Sequence, residues 1–281
     1  MTKASSTDTI RCWNFLGERM KNILCFGDSN TFGSNPSGGR WSKKERWTGL
    51  LAAYLGEGYS IYEEGLGGRT TVFDDPLEPN RNGSLTLPVS LHSHRPLDLV
   101  ILSLGTNDCK CLFNANPRVI AKGLEKLVKM VKTYDYGEFY PVPQVLVIAP
   151  IHIGEAIETS SFASFDQHSY QLSLLLGDSI KEMAQRNKVL FFDASEVAHP
   201  SSIDQLHMDK ESHEQLSKAL FPLVLNVFGD KRPLAVEEVS EDRQVLVEEE
   251  EEHDENINQL VPVKKSRSPL FLKIPLFRHK S

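Results

Sequence analysis

The chain has 281 residues, 40% of them hydrophobic and 25% charged, with a formal net charge of −7 and four cysteines. Such a composition belongs to a water-soluble globular protein long enough for one large α/β domain or two small ones. It argues against a nucleic-acid partner, since phosphate binding draws on a basic surface, and no apolar run approaches the ~18 residues of a membrane span.

Residues 1–20, "MTKASSTDTIRCWNFLGERM", mix charged and polar side chains without the apolar stretch of a secretory signal. They read as a loose extension, with Met20 an alternative start. Cys12, Cys25, Cys109 and Cys111 have no paired zinc spacing, and a chain with a full core needs no disulfide framework, so a reduced cytoplasmic setting is expected. From residue 21, short apolar runs alternate with stretches of helical period. Ile23–Phe26, Ser60–Glu63, Leu99–Leu104, Val145–Ala149 and Val189–Phe192 are predicted to be buried parallel strands. Trp47–Leu55, Pro117–Lys132, Gln167–Arg186 and Glu211–Phe228 are predicted to be helices with one buried face, the second capped by Asn116 with Pro117 in its first turn. The alternation predicts a three-layer, doubly wound α/β domain over 21–229, with its site beyond the carboxyl ends of the strands.

Near Gly229 the character changes. Glu237 to Glu255 holds eleven acidic residues against Arg243 alone, and Lys264 to Lys280 holds six basic residues and no acid, blocks that do not fold by themselves. Residues 230–281 are therefore read as a disordered tail. Its final "KKSRSPLFLKIPLFRHKS" interleaves cations with Leu, Ile and Phe, the composition of a segment that makes weak contact with a membrane surface. The oligomeric state is open, a homo-oligomer included.

The first strand ends in Gly27-Asp28-Ser29, which places the Ser29 hydroxyl in the crevice and suggests that Gly27 makes a tight turn. A phosphate cradle would need GxGxxG or GxxxxGK[ST] spacing, and both are missing. The remaining readings are a helix-capping serine and a nucleophile. A nucleophile needs a base held by an acceptor, and "DQLH" supplies Asp204 and His207 three residues apart in one turn. A metal site from Asp204, His207, Asp209 and His213 is the rival, disfavoured because His213 falls inside the next helix; His152 is the reserve base. Donors for a developing oxyanion stand after two further strands, in "EEGLGGRTT", with bare backbone at Gly65, Gly67 and Gly68, and in "SLGTNDC", with Asn107.

In order, "FGDSNTFG", Gly68, "LGTND" and "DQLH" resemble the four sequence blocks of the SGNH hydrolases, or GDSL esterases, and the likeness covers nearly all of 21–229. "RWTG", "EEGLGGRTT", "DDP", "RPLDLVILSLGTND" and "FFDA" further resemble the family's arylesterase and acyltransferase branch. The resemblance implies a flavodoxin-like α/β/α sandwich with a five-stranded parallel sheet and no metal or organic cofactor. It implies Ser29 as nucleophile, His207 as base, Asp204 as its partner, and an oxyanion hole formed by the backbone N–H of Ser29 and Gly68 with the Asn107 side chain. Gln205 stands where Gly is usual, and Asn30 and Ser34 stand where acyltransferase relatives have Leu and Trp, which predicts a polar pocket mouth at those two residues. The expected function is hydrolysis of small carboxylic esters through an acyl-enzyme, with acyl transfer to an alcohol, or non-catalytic binding of a carbohydrate or lipid, as alternatives.

Overall fold

A computed structural model describes residues 19–232. The greater part of the predicted N-terminal extension and of the charged tail lies outside the described residues.

Five parallel strands run β1 Lys21–Gly27, β2 Tyr59–Gly65, β3 Leu99–Ser103, β4 Gln144–Ala149 and β5 Leu190–Asp193, in the order β2-β1-β3-β4-β5. This is the flavodoxin-like order, whose switch point lies between β1 and β3. Every strand predicted from the sequence is present to within two residues at each end. Side-chain alternation explains why the central strands read as unbroken apolar runs. Ile23, Cys25, Leu99 and Ile101 pack against α2 (Trp47–Leu55) and α7 (Lys210–Val227) on one face. Leu24, Phe26, Val100 and Leu102 pack against α3 (Gly83–Ser93), α4 (Pro117–Thr133) and α6 (Leu176–Asn187) on the other. With both faces covered, successive residues must all be apolar. The edge strands β2 and β5 are half-buried at every residue rather than fully buried as expected, with side chains of each packed against both core layers.

Two helical features depart from the sequence reading. Gln167–Arg186 is broken into α5 (Gln167–Ser173) and α6; at the end of α5 the Ser173 hydroxyl donates to Tyr170 O at 2.7 Å and accepts Ile153 N–H at 3.0 Å, tying that end to the loop after β4. Helix α3 escaped detection because "GSLTLPVSLHS" opens with Gly and carries Pro88 inside it. Its start is fixed by Asn82, whose side chain accepts Ser84 N–H at 3.0 Å. Asn116 caps α4 as expected, accepting Val119 N–H at 3.1 Å.

The strand ends lie level. Gly27 of β1 pairs with Gly65 of β2 and with Ser103 of β3, so the turns that follow all three strands emerge side by side. Gly27 itself has an ordinary backbone; what it supplies is space. A Cβ there would stand 2.0 Å from Thr31 Oγ1 and 2.7 Å from Ser103 O. The expected role in a tight turn is thus corrected to one of close approach. Overpacking of this kind costs roughly 1–3 kcal/mol. Gly27→Ala is expected to lower the melting temperature by several degrees, read by circular dichroism; an unchanged melt would mean that Thr31 can yield freely.

Candidate active site

Ser29 opens the short helix α1 (Ser29–Phe32), and the cap of that helix is Asp28, whose side chain accepts Asn30 N–H at 3.0 Å. The capping role open to Ser29 is therefore filled by its neighbour. Ser29 is 6% exposed and lines a cleft of about 290 Å³ together with Ser34, Gly68, Asn107 and His207. At the first position of a helix its N–H has no intrahelical acceptor.

Asp204 and His207 meet as their spacing predicts. His207 Nδ1 lies 2.6 Å from Asp204 Oδ2, and Asp204 Oδ1 accepts the backbone N–H of both Leu206 and His207 at 3.0 Å. Burial pushes the Asp204 carboxyl up, but these hydrogen bonds outweigh it and hold the group below its ordinary range. Gln205 takes up φ +64°, the left-handed region that favours glycine, the residue the family resemblance leads one to expect there. Among the described residues no hydrogen bond joins Ser29 to His207, and such bonds are commonly long before substrate arrives.

The two oxyanion candidates are fastened to each other. Gly68 has φ +75°, and the next residue, Arg69, accepts Asn107 Nδ2–H through its carbonyl at 3.1 Å. Arg69 then reaches to the end of β1, just before Ser29, donating from Nη1 to Gly27 O at 2.8 Å and to Glu64 O, with its guanidinium 3.9 Å from the Phe26 ring centre. Asp108, fully buried, accepts Thr71 N–H at 3.0 Å and the Thr71 hydroxyl, tying the Asn107 turn to the segment after Gly68.

Asn30 is not where the sequence reading put it. It is 7% exposed and absent from the cleft lining; its side chain is spent on backbone groups beside His207. Ser34 does line the cleft. Of the rival metal set, His213 is buried in α7 with Nδ1 accepting Trp47 N–H at 3.3 Å, and Asp209 caps that helix by accepting Ser212 N–H at 2.8 Å. No group of three or more His, Cys, Asp or Glu side chains gathers closely enough to hold a metal among the described residues. His152 does not line the cleft.

Sequence reasoning missed the walls. Leu66, Phe162, Phe165 and Leu206 are the apolar residues of the lining, with the Phe162 ring edge-on to His207 at 5.6 Å. Glu78, Arg81 and Lys110 form a polar side, with Lys110 Nζ donating to Asp75 at 2.7 Å and to Glu78 at 2.9 Å. Leu66 and Leu206 stand inside "EEGLGGRTT" and "DQLH", but Phe162, Phe165, Glu78, Arg81 and Lys110 belong to no quoted motif, so only the fold brings them to the cleft.

A sequence profile described as the GDSL-like Lipase/Acylhydrolase family matches residues 25–215. The chain belongs to that family. With it the chain joins the carboxylic ester hydrolases of SGNH type. Its structure is similar to that of the Mycobacterium smegmatis aryl esterase, at 39% identity over 74% of this chain and 99% of that one, with a TM-score of 0.70. It is equally similar to Est24, a carbohydrate acetylesterase from Sinorhizobium meliloti, at 41% identity over 74% of this chain and 100% of that one, again with a TM-score of 0.70. A curated relative, the uncharacterised lipoprotein YqeF of Bacillus subtilis, is 30% identical over 103 residues, a match spanning 37% of this chain and 38% of that one. No described helix is long and apolar enough to cross a membrane.

Two buried carboxyls flank this site. Burial pushes Asp28 up to about 6, against the pull of Asn30 N–H, His207, Thr106 and Arg69, and pushes Asp108 up to about 7, against its bonds to Thr71. Both folded values lie above the ordinary carboxyl value of 3.8, so the stability they contribute is complete below that value and is lost as pH rises towards 7. Asp108→Asn keeps a neutral group of the same shape. Its melting temperature relative to wild type is expected to improve between pH 5 and pH 8; a difference that does not change with pH would show that Asp108 does not titrate there.

Proposed function

We propose that the protein is a serine esterase that hydrolyses small carboxylic esters through an acyl-enzyme, with Ser29 as nucleophile, His207 as general base and Asp204 as its orienting acceptor. The observation that carries this reading is the 2.6 Å His207–Asp204 contact facing the same cleft as Ser29, Gly68 and Asn107. With the Nδ1 proton held by Asp204, His207 Nε2 is left bare to accept the Ser29 proton as Oγ attacks the ester carbonyl. The N–H groups of Ser29 and Gly68 and the free proton of the Asn107 amide serve the tetrahedral oxyanion. The imidazolium then gives its proton to the departing alkoxide. A water, deprotonated by His207 in turn, attacks the acyl carbonyl and releases the acid, restoring Ser29.

The cleft, about 290 Å³, lies at the low end of the ~300–1,000 Å³ typical of small-molecule sites, which supports a short acyl group. Its apolar lining residues suit the alcohol of an aryl ester, and its charged ones that of an acetylated carbohydrate, the substrate types in the names of the two relatives. Ser34, Glu78, Arg81 and Lys110 give water hydrogen-bonding partners beside the acyl-enzyme, which favours hydrolysis over transfer to an alcohol.

Kinetics with p-nitrophenyl esters tests these roles. Ser29→Ala and His207→Ala are each expected to lower kcat on the order of 10⁶, the cost of losing either such residue in subtilisin. Asn107→Ala is expected to cost roughly 10²–10³, as loss of one oxyanion donor does. His152→Ala should be without effect, and kcat/KM should fall as the acyl chain lengthens beyond acetate. If Ser29→Ala kept a tenth of the activity, Ser29 would not be the nucleophile.

A further inference from the structure

We infer that Asn30 is a positioning residue that sets the distance between nucleophile and base. It follows Ser29 directly in the chain, yet its side chain is bonded on both sides of His207. Nδ2–H donates to Leu206 O at 3.3 Å, and Oδ1 accepts Met208 N–H at 2.9 Å. The amide thus spans the backbone flanking the base as one strand partner would, and its own backbone N–H is held by Asp28 Oδ1 at 3.0 Å. Trp41 Nε1–H donates to Met208 O at 3.3 Å, so a second element backs the same segment. Asp204 orients the imidazole ring but belongs to the same turn, and so cannot fix how far that turn stands from Ser29. Asn30 does.

Leucine has similar bulk and neither hydrogen bond. In Asn30→Leu the turn loses both ties to α1, and displacements near 1 Å are enough to cost about a hundredfold in rate. This inference rests on the reading of Ser29 and His207 as nucleophile and base, so Ser29→Ala and His207→Ala are assayed alongside.

The expected result is a cooperative melt for Asn30→Leu, with kcat for p-nitrophenyl acetate lowered about a hundredfold. KM should change little, and inactivation by an alkyl fluorophosphonate should slow in proportion, since that reaction uses the same Ser29–His207 pair. Wild-type kcat, or a rise in KM at unchanged kcat, would overturn the inference. If Asn30→Leu does not fold, Asn30→Asp decides. That change is isosteric, keeps the acceptor for Met208 N–H and removes the donor to Leu206 O, and a reduced kcat is again expected. For either variant, a loss no greater than the fraction unfolded at the assay temperature also overturns the inference. Substantial turnover by Ser29→Ala would instead sink the underlying assignment of the nucleophile.

Discussion

The site depends on the register of three strands. In a parallel sheet, a shift of one residue moves a turn by about 3.3 Å and sends its side chains to the opposite face. Here β1, β2 and β3 end level at Gly27, Gly65 and Ser103. Ser29, Gly68 and Asn107 are each a few residues beyond those ends, so their convergence is a property of the hydrogen-bonded ladder rather than of the loops. The absence of side chains at Gly27 and Gly65 lets α1 lie against the strand ends, since a Cβ at Gly65 would stand 2.1 Å from Phe32 N. Arg69 and Asp108 then lock the neighbouring turns to one another, and each is buried for that purpose.

Much of this was legible in the sequence, for reasons that differ by element. The central strands are visible because burial on both faces demands continuous apolar runs, and β5, though half-buried, is still marked by "LFF". Helix α4 announces itself by Asn116-Pro117 and a strong apolar stripe. Helix α3 does not, since Gly, Pro and Ser obscure its period, and its packing against the sheet is a tertiary fact. The split between α5 and α6 falls where Ser173 meets Ile153, a contact twenty residues away that no local pattern encodes.

The site follows the same division. Asp204 and His207 are three residues apart and form a local unit, so their pairing could be read directly. Asn30 was misread because a polar residue beside a nucleophile reads from sequence as a group facing the cleft. Its real partners lie far along the chain and are backbone atoms, which carry no residue signature. Phe162, Phe165 and Arg81 were invisible for a related reason: a wall needs bulk or polarity at a point in space and accepts many residue types in many loops.

The bonds from Asn30 to Leu206 and Met208 join residues 176 and 178 positions apart. The two halves of the proposed Ser29–His207 pair therefore come from opposite ends of the domain's sequence, and loop closure over such a span comes late, because its entropic cost must be offset by contacts already formed. During synthesis the Ser29 turn emerges early, while the His207 turn is supplied only just before the start of the last helix. An incomplete chain thus carries Ser29 without His207 beside it, so on the proposed mechanism its hydroxyl stays inert until the fold is nearly complete.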